Sequence, residues 1–212
     1  VMGTVNRPAT SEEQQRMEAI VEKAMKDGAA GLATGLIYVP GTYSKTEEIV
    51  GLAKVAARYG GVYASHIRYE GDEVLTAIEE AVNIGRQAAI PVQISHFKVS
   101  GQNNWGRSKE TLAAVENARR EGIEVTIDQY PYTASSTGLN TLLPSWALAG
   151  GLDSIKARVN EPAMRRRMVK EMVATLKRRK QKHFTYAVVA YYNADTTLNG
   201  KNIEVINRLK GR

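Results

Sequence analysis

Apolar positions along the first two thirds of the chain follow two alternating rhythms. Met17, Ile20, Val21, Ala24 and Met25 keep the i, i+3, i+4, i+7, i+8 spacing of one helix face. Thr10-Ser11-Glu12-Glu13 ahead of them has the form of a capping box, and Gly28 can stop the helix. Ala30 to Tyr38 is a run of small and apolar residues that predicts a strand buried on both faces, closed by Pro40-Gly41. Ser44-Lys45-Thr46-Glu47 repeats the capping-box pattern before a second stripe of Ile49, Leu52, Ala53 and Ala56, which Gly60-Gly61 ends.

The rhythm then repeats. Val62 to Arg68 predicts a second strand, and Asp72 can cap a helix with Val74, Ile78, Ala81, Val82 and Gly85 on its inner face. Pro91 to Lys98 predicts a third strand, followed by the polar loop Ser100 to Gly106 and a helix from about Ser108 to Arg120. Gly122 opens the last strand of the series, Ile123 to Gln129. Strands therefore begin near residues 30, 62, 92 and 123 with one helix in each interval. Strict alternation at this period predicts an α/β fold with a parallel sheet of about four βα units. It is also the pitch of a (β/α)8 barrel, where eight units occupy roughly 250 residues. Four units alone leave two unpaired edges and an open inner face. The alternatives are an open, doubly wound sheet or one part of a TIM-type barrel, and an opening at Val1, directly before a helix, favours the part.

From Ser135 onward the alternation stops. Leu142 to Trp146 and Gly150-Gly151 form an apolar, turn-rich stretch. Met164 to Lys182 predicts a basic helix with Met168, Met172, Val173 and Leu176 inward, His183 to Tyr192 a strand, and Lys201 to Leu209 a last helix. Charge divides the chain at about the same place. Residues 1–140 hold 14 Lys/Arg and 17 Asp/Glu, whereas residues 141–212 hold 15 and 5. The expected organisation is a partial barrel over 1–140 and a basic α/β insertion over 141–212 that lies across one end of the sheet.

Composition narrows the class only modestly. A hydrophobic content of 43% can fill a core, and no apolar run approaches the length of a membrane span. No basic-then-apolar leader is visible and there is no cysteine, so a cytoplasmic location without disulfides or thiolate ligands is the expectation. The runs Arg165-Arg166-Arg167 and Lys177-Arg178-Arg179-Lys180 lack interleaved aromatics, which favours a solvated helix face over a nucleic-acid surface. His183, beside that basic run, is expected to be exposed.

The candidate chemistry lies in two matched runs, Ser65-His66-Ile67-Arg68 and Ser95-His96-Phe97-Lys98. Each ends an apolar strand, and the histidines are thirty residues apart, the size of one βαβ unit. On parallel neighbours roughly 4.8 Å apart, both imidazoles would emerge at the C-terminal edge of the sheet, where α/β active sites are built. Two imidazoles supply two of the three or four ligands that zinc takes. Lys98 and Arg68, two residues beyond, would share their faces and suit an anionic group. Against this, a strand-end histidine is usually structural. Glu70 and Asp128 can act as ligands or bases but by default bind loop amides, and Tyr38, Tyr130 and Tyr132 end strands on the same side.

Several stretches, taken together, resemble the N-acyl-D-amino-acid deacylases of the metal-dependent amidohydrolase superfamily. They are Gly35-Leu36-Ile37-Tyr38-x-Pro40-Gly41, Ser65-His66-x-Arg68-x-Glu70, Gln93-Ile94-Ser95-His96-x-Lys98, Trp105-Gly106 and Asp128-x-Tyr130-Pro131-Tyr132-x-Ala134-Ser135-Ser136-Thr137. The similarity runs in order from about Val1 to Leu143. It implies a (β/α)8 barrel whose fifth and sixth strands carry His66 and His96 as zinc ligands. It implies that Tyr38, Lys98, Tyr130 and Ser136 line the pocket for an N-acyl amino acid, with Tyr130 placed to stabilise an oxyanion. The family's His-x-His, bridging cysteine and acid/base aspartate have no counterpart in the sequence, so this chain alone is expected not to turn over substrate. Self-association through free sheet edges is a further expectation. Other readings are a dihydroorotase-like or N-acyl-D-glutamate amidohydrolase, and a non-catalytic module that binds an anionic polymer through the basic segment.

Overall fold

The computed structural model describes residues 1–211. Strands β1 (Gly31–Gly35), β2 (Val62–His66), β3 (Val92–Ile94) and β4 (Val125–Ile127) form one sheet in that order, every pair parallel. Helix α1 (Ser11–Lys26) precedes β1, and α2 (Thr46–Ala57), α3 (Val74–Ala88) and α4 (Ser108–Arg120) make the three crossovers. The expected βα alternation is thus present, and its helices pack in sequence, α1 on α2, α2 on α3 and α3 on α4.

Binary pattern explains the core. Val74, Ile78, Ala81, Val82 and Gly85 are all buried on α3, together with Ala77, Ile84 and Ala88. They meet Tyr63, Val92, Ile94 and Val125, the strand residues whose side chains point to the helix layer. Gly85 marks the closest approach, since a Cβ there would lie 2.3 Å from Val92 Cγ2 and 3.2 Å from the Ile90 carbonyl oxygen. Gly85→Ala is therefore expected to destabilise the chain by about 1–3 kcal/mol through overpacking, read as a lower urea midpoint; an unchanged midpoint would mean that the helix–strand gap is looser than drawn.

The other face of the sheet is open. Ala33, Glu124 and Thr126 are exposed there, and Val62 is 42% exposed. This corrects the expectation that the first strand is buried on both faces: β1 is an edge strand covered by helices on one side only, and none of its residues is fully buried. On α1 the predicted stripe is also only partly covered, with Met25 buried but Ile20 59% exposed.

Local signals fared unevenly. The capping box at Thr10 and Glu13 is formed in both directions. At Ser44 it is not: that hydroxyl donates to the Gly41 carbonyl, and α2 starts at Thr46 with no side-chain cap. Asp72 does not cap α3 either. Its Oδ1 accepts from the side-chain amides of Asn103 and Asn104 at 2.6 and 2.8 Å, tying together the loops that follow β2 and β3.

Beyond β4 the chain forms α5 (Gly151–Asn160), α6 (Pro162–Arg178) and α7 (Ile203–Leu209) with short 3-10 turns between. Helix α5 was not anticipated, and the strand expected over His183 to Tyr192 is absent. Phe184–Tyr186 is a 3-10 turn, and Val188 makes a single antiparallel bridge to Asn202. Alternating residues there had no neighbouring strand to pair with. This part touches the loops at the C-terminal edge of the sheet, through Tyr43 Oη donating to the Ser145 carbonyl (2.7 Å) and Gln181 Nε2 to Gln102 Oε1 (3.5 Å). None of the described helices is long and apolar enough to cross a membrane.

Candidate metal centre

Strand register decides how the two histidines meet. Tyr63 stands opposite Val92 and Ser65 opposite Ile94, an offset of 29 residues, so His66 is aligned with Ser95 and not with His96. Along β3, Val92 and Ile94 turn to the helix layer while Gln93 turns to the open face. Strict alternation would send His96 to the helix side, away from His66. The chain avoids this by inserting one residue. Asp128 donates its backbone N–H to the Ile94 carbonyl, and its own carbonyl accepts from Phe97, not from residue 96 as an unbroken parallel ladder would require. His96 is thus the extra residue of a bulge, with φ of +43°. The two rings come to lie edge to face with centroids 4.3 Å apart.

Glu70, in the loop after β2, completes the cluster. Its Oε1 lies 3.8 Å from His66 Nε2, 3.1 Å from His96 Nδ1 and 2.5 Å from Lys98 Nζ. One donor atom from each of His66, Glu70 and His96 fits within a 4.8 Å span. Two observations test whether such a set suits a metal ion. His66 Nε2 is buried without a hydrogen-bond partner. The Lys98 ammonium already sits as a cation among the Glu70 carboxylate, His96 Nδ1 and the His96 carbonyl oxygen at 2.5, 3.2 and 3.1 Å. Burial, opposed by Glu70 and reinforced by His96 and Lys98, also pushes the His66 pKa down, which favours the neutral imidazole that a metal ion needs. The residues fit a divalent cation of borderline softness.

Around the cluster, Tyr38 packs its ring 4.8 Å from that of His66, and its hydroxyl is 3.1 Å from Thr137 Oγ1. Lys98 Nζ lies 5.4 Å from the centre of the Tyr130 ring, within cation–π range. Ser136 is exposed and sits next to the anchored Thr137. Arg68 is not among these groups, contrary to the expectation that it shares the site with His66. Its guanidinium forms a fork with Glu80 on α3 (2.8 and 2.9 Å) and donates to the carbonyls of Thr42 and Ser44. Asp128 binds a loop amide, that of His96, and His183 is exposed near Glu204. In the sequence Glu70 stands out as one of two strand-end carboxylates and as the last residue of the run Ser65-His66-x-Arg68-x-Glu70. The signal that marks it is its i+4 spacing from His66 across a strand end, too short for a helix to intervene.

No family model matches the chain. Over 139 residues it is 45% identical to a D-aminoacylase from Alcaligenes xylosoxydans xylosoxydans, a match covering 66% of this chain and 28% of that protein. All of the chain superimposes on 37% of a D-aminoacylase crystal structure that defines a novel subset of amidohydrolases, with a TM-score of 0.73 and 32% identity. The chain is homologous to one part of the D-aminoacylases, a subset of the amidohydrolases. Its four-stranded sheet matches part of the D-aminoacylase barrel, and it spans 28% of the length of its curated D-aminoacylase relative. The N-acyl-D-glutamate deacylase of Bordetella bronchiseptica also superimposes on it, with a TM-score of 0.73 and 30% identity over 97% of this chain and 36% of that one. That N-acyl-D-glutamate deacylase was solved with zinc and a phosphonate mimic of the tetrahedral intermediate.

Proposed function

We propose that the chain carries one side of a zinc site that hydrolyses the amide bond of N-acyl-D-amino acids to a D-amino acid and a carboxylate. The observation that supports this most is the convergence of His66, Glu70 and His96 at the C-terminal edge of a parallel sheet in a chain of D-aminoacylase ancestry. In this reading His66 and His96 hold the metal, and Glu70 is the anion closest to both. The chemistry that zinc supplies in such a place is Lewis-acid polarisation of a carbonyl and acidification of water.

The chain's own groups then have separable tasks. Lys98, the cation at the cluster, binds the carboxylate of the amino acid. Tyr130, held against Lys98, donates its hydroxyl to the oxygen that becomes negative as the carbonyl carbon turns tetrahedral. Tyr38 forms the wall against His66, and its tether to Thr137 carries the neighbouring Ser136 to the mouth of the site, where its hydroxyl adds a second contact for the carboxylate. Residues 141–212 act as a cover over the same edge, a role supported by the contacts of Ser145 and Gln181 with its loops.

Two measurements test the reading. Titration of the 212-residue chain with zinc is expected to show one equivalent taken up, and no uptake would refute the site. In a polypeptide that supplies the remaining strands, N-acetyl-D-amino acids are expected to be hydrolysed and their L-enantiomers spared. Including the D-glutamate and D-aspartate derivatives separates a neutral from an acidic preference.

A further inference from the structure

We infer that Asp128 is a positioning residue for the metal site, holding His96 in the left-handed turn that brings its imidazole to His66; this rests on the reading of His96 as a ligand. The bulge creates a specific problem. A non-glycine residue at positive φ is disfavoured, because Cβ crowds the neighbouring carbonyl, and such a conformation persists only where its surroundings hold it. Histidine tolerates the region better than most side chains, yet it still needs an external restraint. By taking the extra position, His96 also loses the ladder acceptor for its N–H, since the Asp128 carbonyl is occupied by Phe97.

Both needs are met by one side chain. Asp128 Oδ1 accepts the His96 N–H at 2.5 Å, a charge-assisted bond that stands in for the missing ladder contact. Its other oxygen, Oδ2, accepts from Gln93 Nε2 at 2.7 Å, and Gln93 Oε1 in turn accepts from the Thr126 hydroxyl. The carboxylate is therefore oriented from β3 and β4 together. On the far side of the residue, the His96 carbonyl accepts from Lys98 Nζ at 3.1 Å. The peptide groups flanking His96 are thus each gripped by a charged side chain, which holds the backbone from which the imidazole projects. Asp128 lies outside the group of donors that converge on the cation position, so its contribution is made through His96.

The test compares Asp128→Ala and Asp128→Asn with the parent 212-residue chain in zinc competition titrations and in amide hydrogen exchange. Asp128→Ala is expected to bind zinc about 10–100-fold more weakly, the usual cost of losing a group that orients a ligand. Asp128→Asn keeps an acceptor oxygen for the His96 N–H and should stay within a few-fold of the parent. The His96 amide should exchange at least about tenfold faster in the alanine variant, and close to the parent rate in the asparagine variant. Equal zinc affinity in parent and Asp128→Ala would overturn the positioning role, as would an equal loss in both variants. Absence of zinc uptake by the parent, or its retention in His96→Ala, would instead sink the ligand reading. The exchange of the His96 amide would then still decide whether Asp128 holds the turn.

Discussion

His66→Ala is expected to weaken zinc binding by the 212-residue chain at least about 100-fold, and His96→Ala by a similar factor. Each imidazole is one of very few nitrogen donors available, and a site reduced to one histidine and a carboxylate lies far below the three or four ligands zinc requires. A factor of 100 corresponds to about 2.7 kcal/mol. The effect should be local, because His66 ends β2 and its ring contacts only Tyr38, His96 and the Glu70 carboxylate among the interactions of the site. Far-ultraviolet dichroism of both variants should therefore match the parent. His183→Ala is the control: that ring is exposed near Glu204, on the residue just before the 3-10 turn Phe184–Tyr186, and its loss should leave zinc binding unchanged. Unchanged metal content in both His66→Ala and His96→Ala would refute the assignment.

The largest expected effect on stability comes from Glu80→Ala. Arg68 and Glu80 form a two-pronged ion pair with side chains only 16% and 12% exposed, and Thr46 also donates to the carboxylate. Removing one partner leaves a guanidinium in a poorly solvated place with only two carbonyl acceptors, which costs about 3–5 kcal/mol. The expected readout is a large fall in the urea midpoint. An Arg68→Met/Glu80→Leu double variant should recover most of it, since desolvation of both charges is avoided at similar volume. A loss below about 1 kcal/mol for Glu80→Ala, the level of an exposed pair, would return Arg68 to the groups available for an anionic substrate.

That contrast shows what was legible in the sequence. Period-two spacing put Arg68 on the face of His66, but the strand ends at His66, and alternation has no authority beyond it. Repetition at thirty residues correctly announced a parallel sheet with crossover helices, because burial of apolar stripes dictates both. The inner face of α3 could be named residue by residue, and α4 from Ser108 to Arg120, for the same reason. Caps were weaker guides, since a Ser or Asp before a helix has competing partners; Ser44 and Asp72 took loop contacts instead. Where long-range pairing decides, the sequence was silent. Nothing in His183 to Tyr192 reveals that no second strand will meet it. In the site, the pairing of His66 with His96 was anticipated for an incomplete reason: the two histidines are one residue out of register, which in an unbroken strand would turn them to opposite faces, and an inserted residue brought the rings together. Glu70 converges with them only because its loop turns back over the strand end.

The bulge at His96 places two demands of different origin on one short stretch. Hydrogen-bond pairing between β3 and β4 is complete with one residue fewer between Ile94 and Phe97, whereas the meeting of the imidazoles needs the longer spelling. Shortening this stretch by one residue should therefore leave a well-ordered sheet that has lost its metal. Among descendants of this chain, the number of residues from Ile94 to Phe97 would then record whether the chemistry is still in use, even where the fold around it has not changed.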